Sequence, residues 1–448
     1  MNIVIVGGVA AGAKAAAKIK RLLPNASVKI YTDDTHVSYS SCGLPYYIEG
    51  NFEDYRTLLV RSPEEFGNSG IEVFLETRVI KILPQEKEIV LYNLEHVPFD
   101  KLIIATGARP VIPTIEGLDS IEHAYTLRKV EDGIKIRDKM RKSNHVTILG
   151  SGYIGLELLE AFVKNGLKVD IVERANSIMP RLDDDMAEYV LKRKSNSIYD
   201  GFEIHLNETI SKVENLGEKI KVTTQTNTAI ETDMLIISAG VKPNSEIAAE
   251  AGIRIGETGA IWVDKLMRTN VEDIYACGDC AEKTHIISGQ KVWIPLGSTA
   301  NKEGRCVAIN AAGGYSEFEG VLGSTVTRCL NTTISMTGLT EKEAIRVGFS
   351  PVSTIVKKYD KVAFMPEASE LIIKIVADKV TGLLLGGQAI GSVGADKRIN
   401  TLTTALLGHL TVQEFSNNDI TYAPPYSPTI DPLLDAMNIL CSKINRNC

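Results

Sequence analysis

The sequence predicts an α/β protein with two βαβ-based domains and a C-terminal α+β domain. Three observations carry that prediction. A β-branched run at 2–6 leads straight into glycines, a helix is expected at 13–23 and a second strand at 27–31. The same order returns at 145–149, with Gly150, Gly152 and Gly155, a helix to about residue 165 and a strand at 168–172. From about residue 320 the texture changes, with strands expected at 324–327, 352–356, 371–377 and 382–389 ahead of a helix near 400–407.

Between the two openings, 73–79 and 88–92 read as a β-meander. The apolar strands 101–107 (KLIIATG) and 234–240 (MLIISAG) end alike, and 273–279 (DIYACGD) ends in an acid. A length of 448 residues fits about three domains. The net charge is −7 and no run of five like charges occurs, which argues against nucleic acid as the main partner. No apolar stretch reaches transmembrane length, so no membrane partner is expected. The opening MNIVIVGGVAAG lacks a basic n-region, and a cytoplasmic location is expected. Seven scattered cysteines, an odd count, do not form a disulfide framework, and most are expected as thiols.

The second glycine turn, Gly150-Ser151-Gly152-Tyr153-Ile154-Gly155, lies between strand and helix. Glycines there let backbone approach a pyrophosphate, whose charge meets the helix N-terminus. Glu173 follows about 20 residues on, where an acid bonds ribose hydroxyls. Its carboxylate repels a 2′-phosphate and favours NADH, while neighbouring Arg174 leaves NADPH open. The first turn, Gly7-Gly8-Val9-Ala10-Ala11-Gly12, is less regular, with Val9 at the middle glycine and Thr32 at the acid position, beside Asp33 and Asp34. Alone it reads equally as a structural turn. Together with the second turn and the matched strand ends, it points to two dinucleotide sites. Asp279, at a strand end near a helix start, suits the ribityl chain of a flavin.

Cys42 lies in VSYSSCGLPYY, where Ser41 is expected to cap a short helix and Pro45 to fit its first turn. A thiol at a helix N-terminus is shifted toward thiolate. By position alone, a small residue in a tight loop is an equal reading.

With its neighbours, the chain resembles the pyridine nucleotide-disulfide oxidoreductases over nearly its whole length. The single-cysteine branch (coenzyme A-disulfide reductase, NADH oxidase and NADH peroxidase) is the best match. The carrying stretches are SYSSCGLPYY, ATGARP, LRKVEDG, GSGYIGLELLE, ISAGVKPN, TNVEDIYACGDCAE, PLGSTANKEGR, GADKRIN and YAPPYSPTIDP. The resemblance implies two Rossmann-like domains, an FAD unit at 1–112 and 245–320 and an NAD(P)H unit at 113–244, with a dimerisation domain at 321–448 and a homodimer. It implies FAD held by Gly7, Gly8, Ala10, Ala11, Gly12 and Asp33, with Ser41, Val79, Ala105, Thr106 and Gly107. Arg128, Asp279 and Ala300 complete that set. NADH falls to Gly150, Gly152, Tyr153, Ile154, Gly155, Glu173 and Gly240, with Tyr153 covering the flavin until nicotinamide displaces it.

Details choose within the family. Tyr47 stands where a second redox cysteine would complete Cys-x4-Cys, and 150–240 contains no cysteine. Cys277 and Cys280 read as structural, a zinc site with His285 lacks further ligands, and no metal is expected. His409 and Glu414 share the spacing of the acid–base pair of glutathione reductase-like enzymes but precede the corresponding stretch, where Tyr422 of YAPPY stands in for the histidine. Ala10 occupies the place of the histidine in sulfenic acid-cycling members, so a disulfide-reducing cycle is favoured. Lys14, Lys18 and Arg21 share one face of the first helix and, with Ser38 and Ser41, are implied to line a coenzyme A channel; a solvated helix face is an equal reading. Two departures concern coenzyme A: Ile430 replaces a lysine, and Tyr359 or Phe364 stands near an upstream tyrosine.

The expected activity is NADH-dependent reduction of a low-molecular-weight disulfide through FAD and Cys42, with Tyr422 from the partner subunit serving the departing thiolate. An NADH oxidase delivering electrons to oxygen or peroxide, and a redox-sensing flavoprotein, are the alternatives.

Overall fold

The computed structural model describes residues 1–194 and 201–444. Its first parallel sheet has strand order 274–276, 101–104, 2–6, 27–31, 71–74. Asn2–Val6 is central, with Ile3 opposite Val28 on one side and Lys101 on the other. Both faces are covered, which is why these strands read as continuous Val/Ile/Leu runs rather than alternating ones. The edge strand 274–276 is reached only after the entire second unit, so the chain leaves this sheet and returns to it.

The second parallel sheet runs 202–206, 168–173, 145–149, 234–237, 124–125. Antiparallel three-stranded meanders follow in each unit, 79–83/88–91/96–98 in the first and 210–215/220–224/229–232 in the second. A two-stranded antiparallel ribbon, Ala108–Pro110 against Val241–Pro243, carries the chain between the units. The third region is an antiparallel sheet ordered 325–329, 332–338, 384–391, 370–378, 351–359, with helices Ala395–Leu407 and Pro432–Lys443 packed on it. The expected α/β class with a C-terminal α+β domain is the fold observed.

Four local expectations need correction. The first helix is Ala10–Leu22, three residues earlier than expected, because the chain turn is completed at Gly7 and the later glycine already lies within the helix. The predicted strand 73–79 is two strands of different sheets, Ile71–Phe74 and Val79–Leu83. The break is at Glu76, whose φ of +49° turns the chain without a glycine or proline to announce it. Thr332–Gly338, not expected as a strand, is an interior strand of the third sheet, between 325–329 and 384–391. Its Thr/Ser content hid it, yet Ser335 donates to the Thr325 carbonyl (3.0 Å) and Thr337 pairs with Ser324 (2.7 Å), so its polar groups are satisfied on burial. Pro432–Lys443 was also not expected; Asp431 caps it through the Leu433 N–H (3.0 Å).

Candidate functional site

The first glycine turn is sealed by packing. Gly7 has φ +104°, and a side chain there would run into the Ala105 carbonyl oxygen. A Cβ on Gly12 would overlap the Gly7 carbonyl, and one on Gly8 would sit 2.9 Å from the Val37 methyl. Ala10 is exposed at the helix start, while Ala11 is buried against the helix Gly297–Ala311, where a side chain on Gly304 would strike the Ala11 carbonyl. This contact brings Gly278 and Asp279 to the head of the first helix, a Cβ on Gly278 lying 2.9 Å from that of Ala11. Below them Glu303 accepts from the Gly278 N–H (2.6 Å), Lys283 donates to the Gly278 carbonyl (2.9 Å), and their charges lie 3.5 Å apart, fully buried. Burial pushes the Glu303 carboxyl up to about 7, against the opposing pull of Lys283.

Asp279 Oδ1 is buried without a hydrogen-bond partner among the described residues. A buried carboxylate oxygen needs a donor, and a hydroxyl of a flavin ribityl chain supplies one, so the residues present fit FAD. The strand end at Ala105, Thr106 and Gly107 borders the same turn. It is stapled by Thr106 Oγ1 to the Asn244 carbonyl (2.6 Å) and Asn244 Nδ2 to the Thr106 carbonyl (2.8 Å). Arg128 hangs over Gly107, where a Cβ would be 2.8 Å from its guanidinium. Val79 and Ala300 are buried, whereas Asp33 is exposed, 3.7 Å from Lys129.

Cys42 is in a single tight turn, Ser41–Gly43, at the head of the six-residue helix Leu44–Glu49. Pro45 fits the first helical turn, but Ser41 caps nothing: Ser40 and Gly43 hold the cap positions without a side-chain bond. The tight turn instead points the Ser41 hydroxyl at the Cys42 sulfur. The expected shift toward thiolate is reversed in this protein environment. The thiol is exposed, yet the protein atoms around it displace enough water to push its pKa up. Glu157 and Asp279 add to the rise, and Ser41 and Arg128 oppose it. A six-residue helix cannot outweigh that burial.

Glu157 was not singled out from the sequence. It sits four residues after Tyr153, on the same face of the helix Tyr153–Lys164, and that spacing was the available signal. Its carboxylate accepts from Thr327 Oγ1 (2.9 Å), and burial raises its pKa. Tyr46 and Arg328, also missed, complete this wall, with the guanidinium 5.8 Å from the Tyr46 ring centre. Glu49, at the end of the cysteine helix, bonds both Lys164 (2.8 Å) and Arg328 (3.2 Å). The cysteine helix is thereby tied to both other regions.

The second turn repeats the first with one difference. Gly150 has φ +102°, and a side chain on Gly155 would overlap the Gly150 carbonyl. Gly152, however, faces open space, with nothing within 4 Å of a Cβ. Ile154 is half-buried just inside the helix, and Gly240 (φ +102°) also faces open space. This open helix start fits a dinucleotide pyrophosphate. Glu173 is buried at the next strand end, where it accepts from the Ser151 N–H and Oγ (each 2.8 Å) and from the Ala175 N–H (2.8 Å). Tyr153 hydrogen-bonds Thr325 Oγ1 of the third sheet (2.7 Å).

Lys14, Lys18 and Arg21 have no carboxylate partner among the described residues. Ser38 is held at φ +52°, its N–H donating to the Gly8 carbonyl (2.8 Å). Tyr422 is half-exposed in the irregular segment 417–431, and Tyr359, Phe364, Tyr426 and Ile430 are also exposed on this third region. Cys277 and Cys280 are fully buried free thiols, Cys280 donating to the Ile104 carbonyl (3.4 Å), as a structural pair would. Glu414 caps its own helix through Thr411, so it has no catalytic partner in His409. Among the described residues no helix is long and apolar enough to cross a membrane.

Two glycine turns shaped like dinucleotide cradles, with Cys42 the exposed free cysteine among the described residues, are the features of a pyridine nucleotide-linked oxidoreductase. The chain belongs to the pyridine nucleotide-disulphide oxidoreductases: that family matches residues 1–304, and its dimerisation domain matches 327–433. Its cofactors are FAD and NAD(P)H. It is 37% identical over 451 residues to the NAD(P)H sulfur oxidoreductase (CoA-dependent) of Pyrococcus abyssi, covering 98% of each chain. It is 32% identical over 456 residues to the NADH oxidase of Methanocaldococcus jannaschii, covering 99% of this chain and 100% of that one. The solved structure of reduced Bacillus anthracis CoADR-RHD superposes with a TM-score of 0.95 at 32% identity, covering 99% of this chain and 80% of that one.

Proposed function

We propose that the protein reduces a low-molecular-weight disulfide, coenzyme A disulfide or a related mixed disulfide or persulfide, at the expense of NADH. The observation that carries this is an exposed Cys42 whose thiol feels the charge of Asp279, a carboxylate with a buried oxygen that has no partner among the described residues. The name of the Pyrococcus relative supports a coenzyme A-linked sulfur substrate. In this reading residues 1–112 and 245–320 hold FAD, 113–244 hold NADH, and 321–448 pair two subunits.

When bound, the flavin supplies the two electrons of NADH to the Cys42 sulfur. Cys42 thiolate attacks one sulfur of the substrate disulfide, forming a Cys42 mixed disulfide and releasing one thiolate. Tyr422 of the partner subunit gives that thiolate its proton. The two electrons then cleave the mixed disulfide, restoring the Cys42 thiolate and releasing the second thiolate, and solvent protonates that product and Tyr422. Lys14, Lys18 and Arg21 hold the phosphates, and Ser38 and Ser41 line the entrance. Glu173 keeps the second turn in shape and favours NADH.

A second reading, NADH oxidase, is favoured by the open approach to Cys42 and has a relative of that name. Mass spectrometry of protein purified without reductant separates the two. A coenzyme A adduct on Cys42 is the expected result; a sulfenic or sulfinic Cys42 with rapid NADH-driven oxygen consumption would overturn it in favour of the oxidase.

A further inference from the structure

A cluster unrelated to the sulfur chemistry lies on one face of the second parallel sheet. Asp170, in the strand Lys168–Glu173, is only 3% exposed at its side chain, yet two histidines converge on it. His205 Nε2 meets Asp170 Oδ1 at 2.7 Å, and His145 Nε2 meets Oδ2 at 2.5 Å. Glu203 Oε2 stands 4.0 Å from the same His205 nitrogen. The strand register explains the convergence. Thr147, Asp170 and Glu203 are level on three adjacent strands, His145 lies two residues before that level, and His205 lies two residues beyond it. In parallel pairing, all five side chains point to one face.

We propose that Asp170, His205 and Glu203 form a site for a borderline divalent cation such as Zn²⁺, with His145 as a positioning residue that orients the Asp170 carboxylate. The ligand atoms of these three residues already lie within 4.8 Å of one another. Tetrahedral zinc at bond lengths of ~2.0–2.2 Å needs ligand separations of roughly 3.3–3.6 Å. His205 Nε2 and Asp170 Oδ1, now 2.7 Å apart, must open to admit the cation, and Glu203 must close, its side chain being 62% exposed with no partner besides His205 among the described residues. Two carboxylates balance the charge of the cation, and imidazole plus carboxylate is a donor set suited to zinc. His145 on the far oxygen of Asp170 is the outer-shell partner such sites carry.

A second, independent observation points the same way. Thr147 Oγ1, level with Asp170 on the same face, is fully buried and has no hydrogen-bond partner among the described residues. Three protein ligands leave the fourth zinc position to water, a group this hydroxyl can bond. Among the described residues Lys168 is the opposing charge, 3.9 Å from Asp170 Oδ2, and its half-exposed side chain is free to swing to solvent.

The test is Zn²⁺ binding to the flavin-loaded protein by equilibrium dialysis with elemental analysis, comparing wild type, Cys42→Ser, His205→Gln and Glu203→Gln. Flavin absorbance and far-UV circular dichroism verify the fold of each. One Zn²⁺ per chain is expected in wild type and Cys42→Ser, with affinity at least ~10-fold weaker in His205→Gln and Glu203→Gln, the least that loss of a supporting group costs. Absence of binding in wild type, loss only on Cys42→Ser, or unchanged affinity in both ligand variants would show a metal-free His–Asp–His network and overturn the proposal.

Discussion

The two glycine turns are built to one plan and finished differently. In the first, Gly7, Gly8 and Gly12 all touch protein, and the turn is locked between a strand end, the Val37 methyl and its own helix. In the second, Gly150 and Gly155 are equally tight, but Gly152 opens on empty space. The companion acids differ as well. Asp279 leaves a buried oxygen without a donor, whereas Glu173 spends its oxygens on the turn itself. Under the proposed assignment, the first cradle holds a resident group whose hydroxyl meets Asp279, while the second admits and releases its ligand. A prosthetic group and an exchanged substrate place those different demands on the same supersecondary unit.

The largest effect that sharpens this contrast comes at Cys42. Cys42→Ser should retain flavin absorbance and rapid reduction of that chromophore by NADH, yet lose disulfide turnover by at least ~10³-fold. Retained turnover would mean that electrons leave the resident cofactor by another route. Tyr422→Phe is next, with thiol release slowed by ~10²-fold in single-turnover traces. Unchanged traces would remove the proton donor from the scheme.

The glycines themselves give a smaller effect. Gly8→Ala forces a methyl against Val37 and should lower stability by about 1–3 kcal/mol in denaturant titrations, with partial loss of FAD. Gly152→Ala should leave stability within ~1 kcal/mol and instead raise the KM for NADH. Equal destabilisation by both would erase the distinction between a sealed and an open turn.

The smallest effect is at Glu157. Its negative charge raises the Cys42 pKa, so Glu157→Gln should lower it. The pH profile of Cys42 alkylation would then move to lower pH, with more thiolate at neutrality. An unmoved or upward-shifted profile would show that Glu157 does not face the sulfur electrostatically.

Both parallel cores were legible because strands buried on two faces have no choice but continuous apolar sequence, and glycine turns mark their ends. The third region was harder. Thr332–Gly338 is a buried strand made largely of Thr and Ser, and only its internal hydrogen bonds make that burial tolerable. Glu76 turns the chain at positive φ with no turn residue to signal it. At the candidate site, Cys42, Asp279 and the glycines were visible as types at spacings. The thiol's electrostatics were not, because burial by surrounding protein atoms, with Glu157 and Asp279 from distant segments, raises its pKa against the pull of Ser41 and Arg128. Glu157 itself was readable four positions beyond Tyr153 and was passed over.

The Tyr153 hydroxyl is fastened to Thr325, a residue of the neighbouring sheet. If the ring swings away to let nicotinamide in, that latch must open first, at a cost of about 0.5–1.5 kcal/mol. Affinity for the reductant is therefore lower by up to about tenfold than an unlatched ring would give. Thr325→Val should recover that difference as tighter NADH binding, and the third sheet thus has a say in when the electron supply begins.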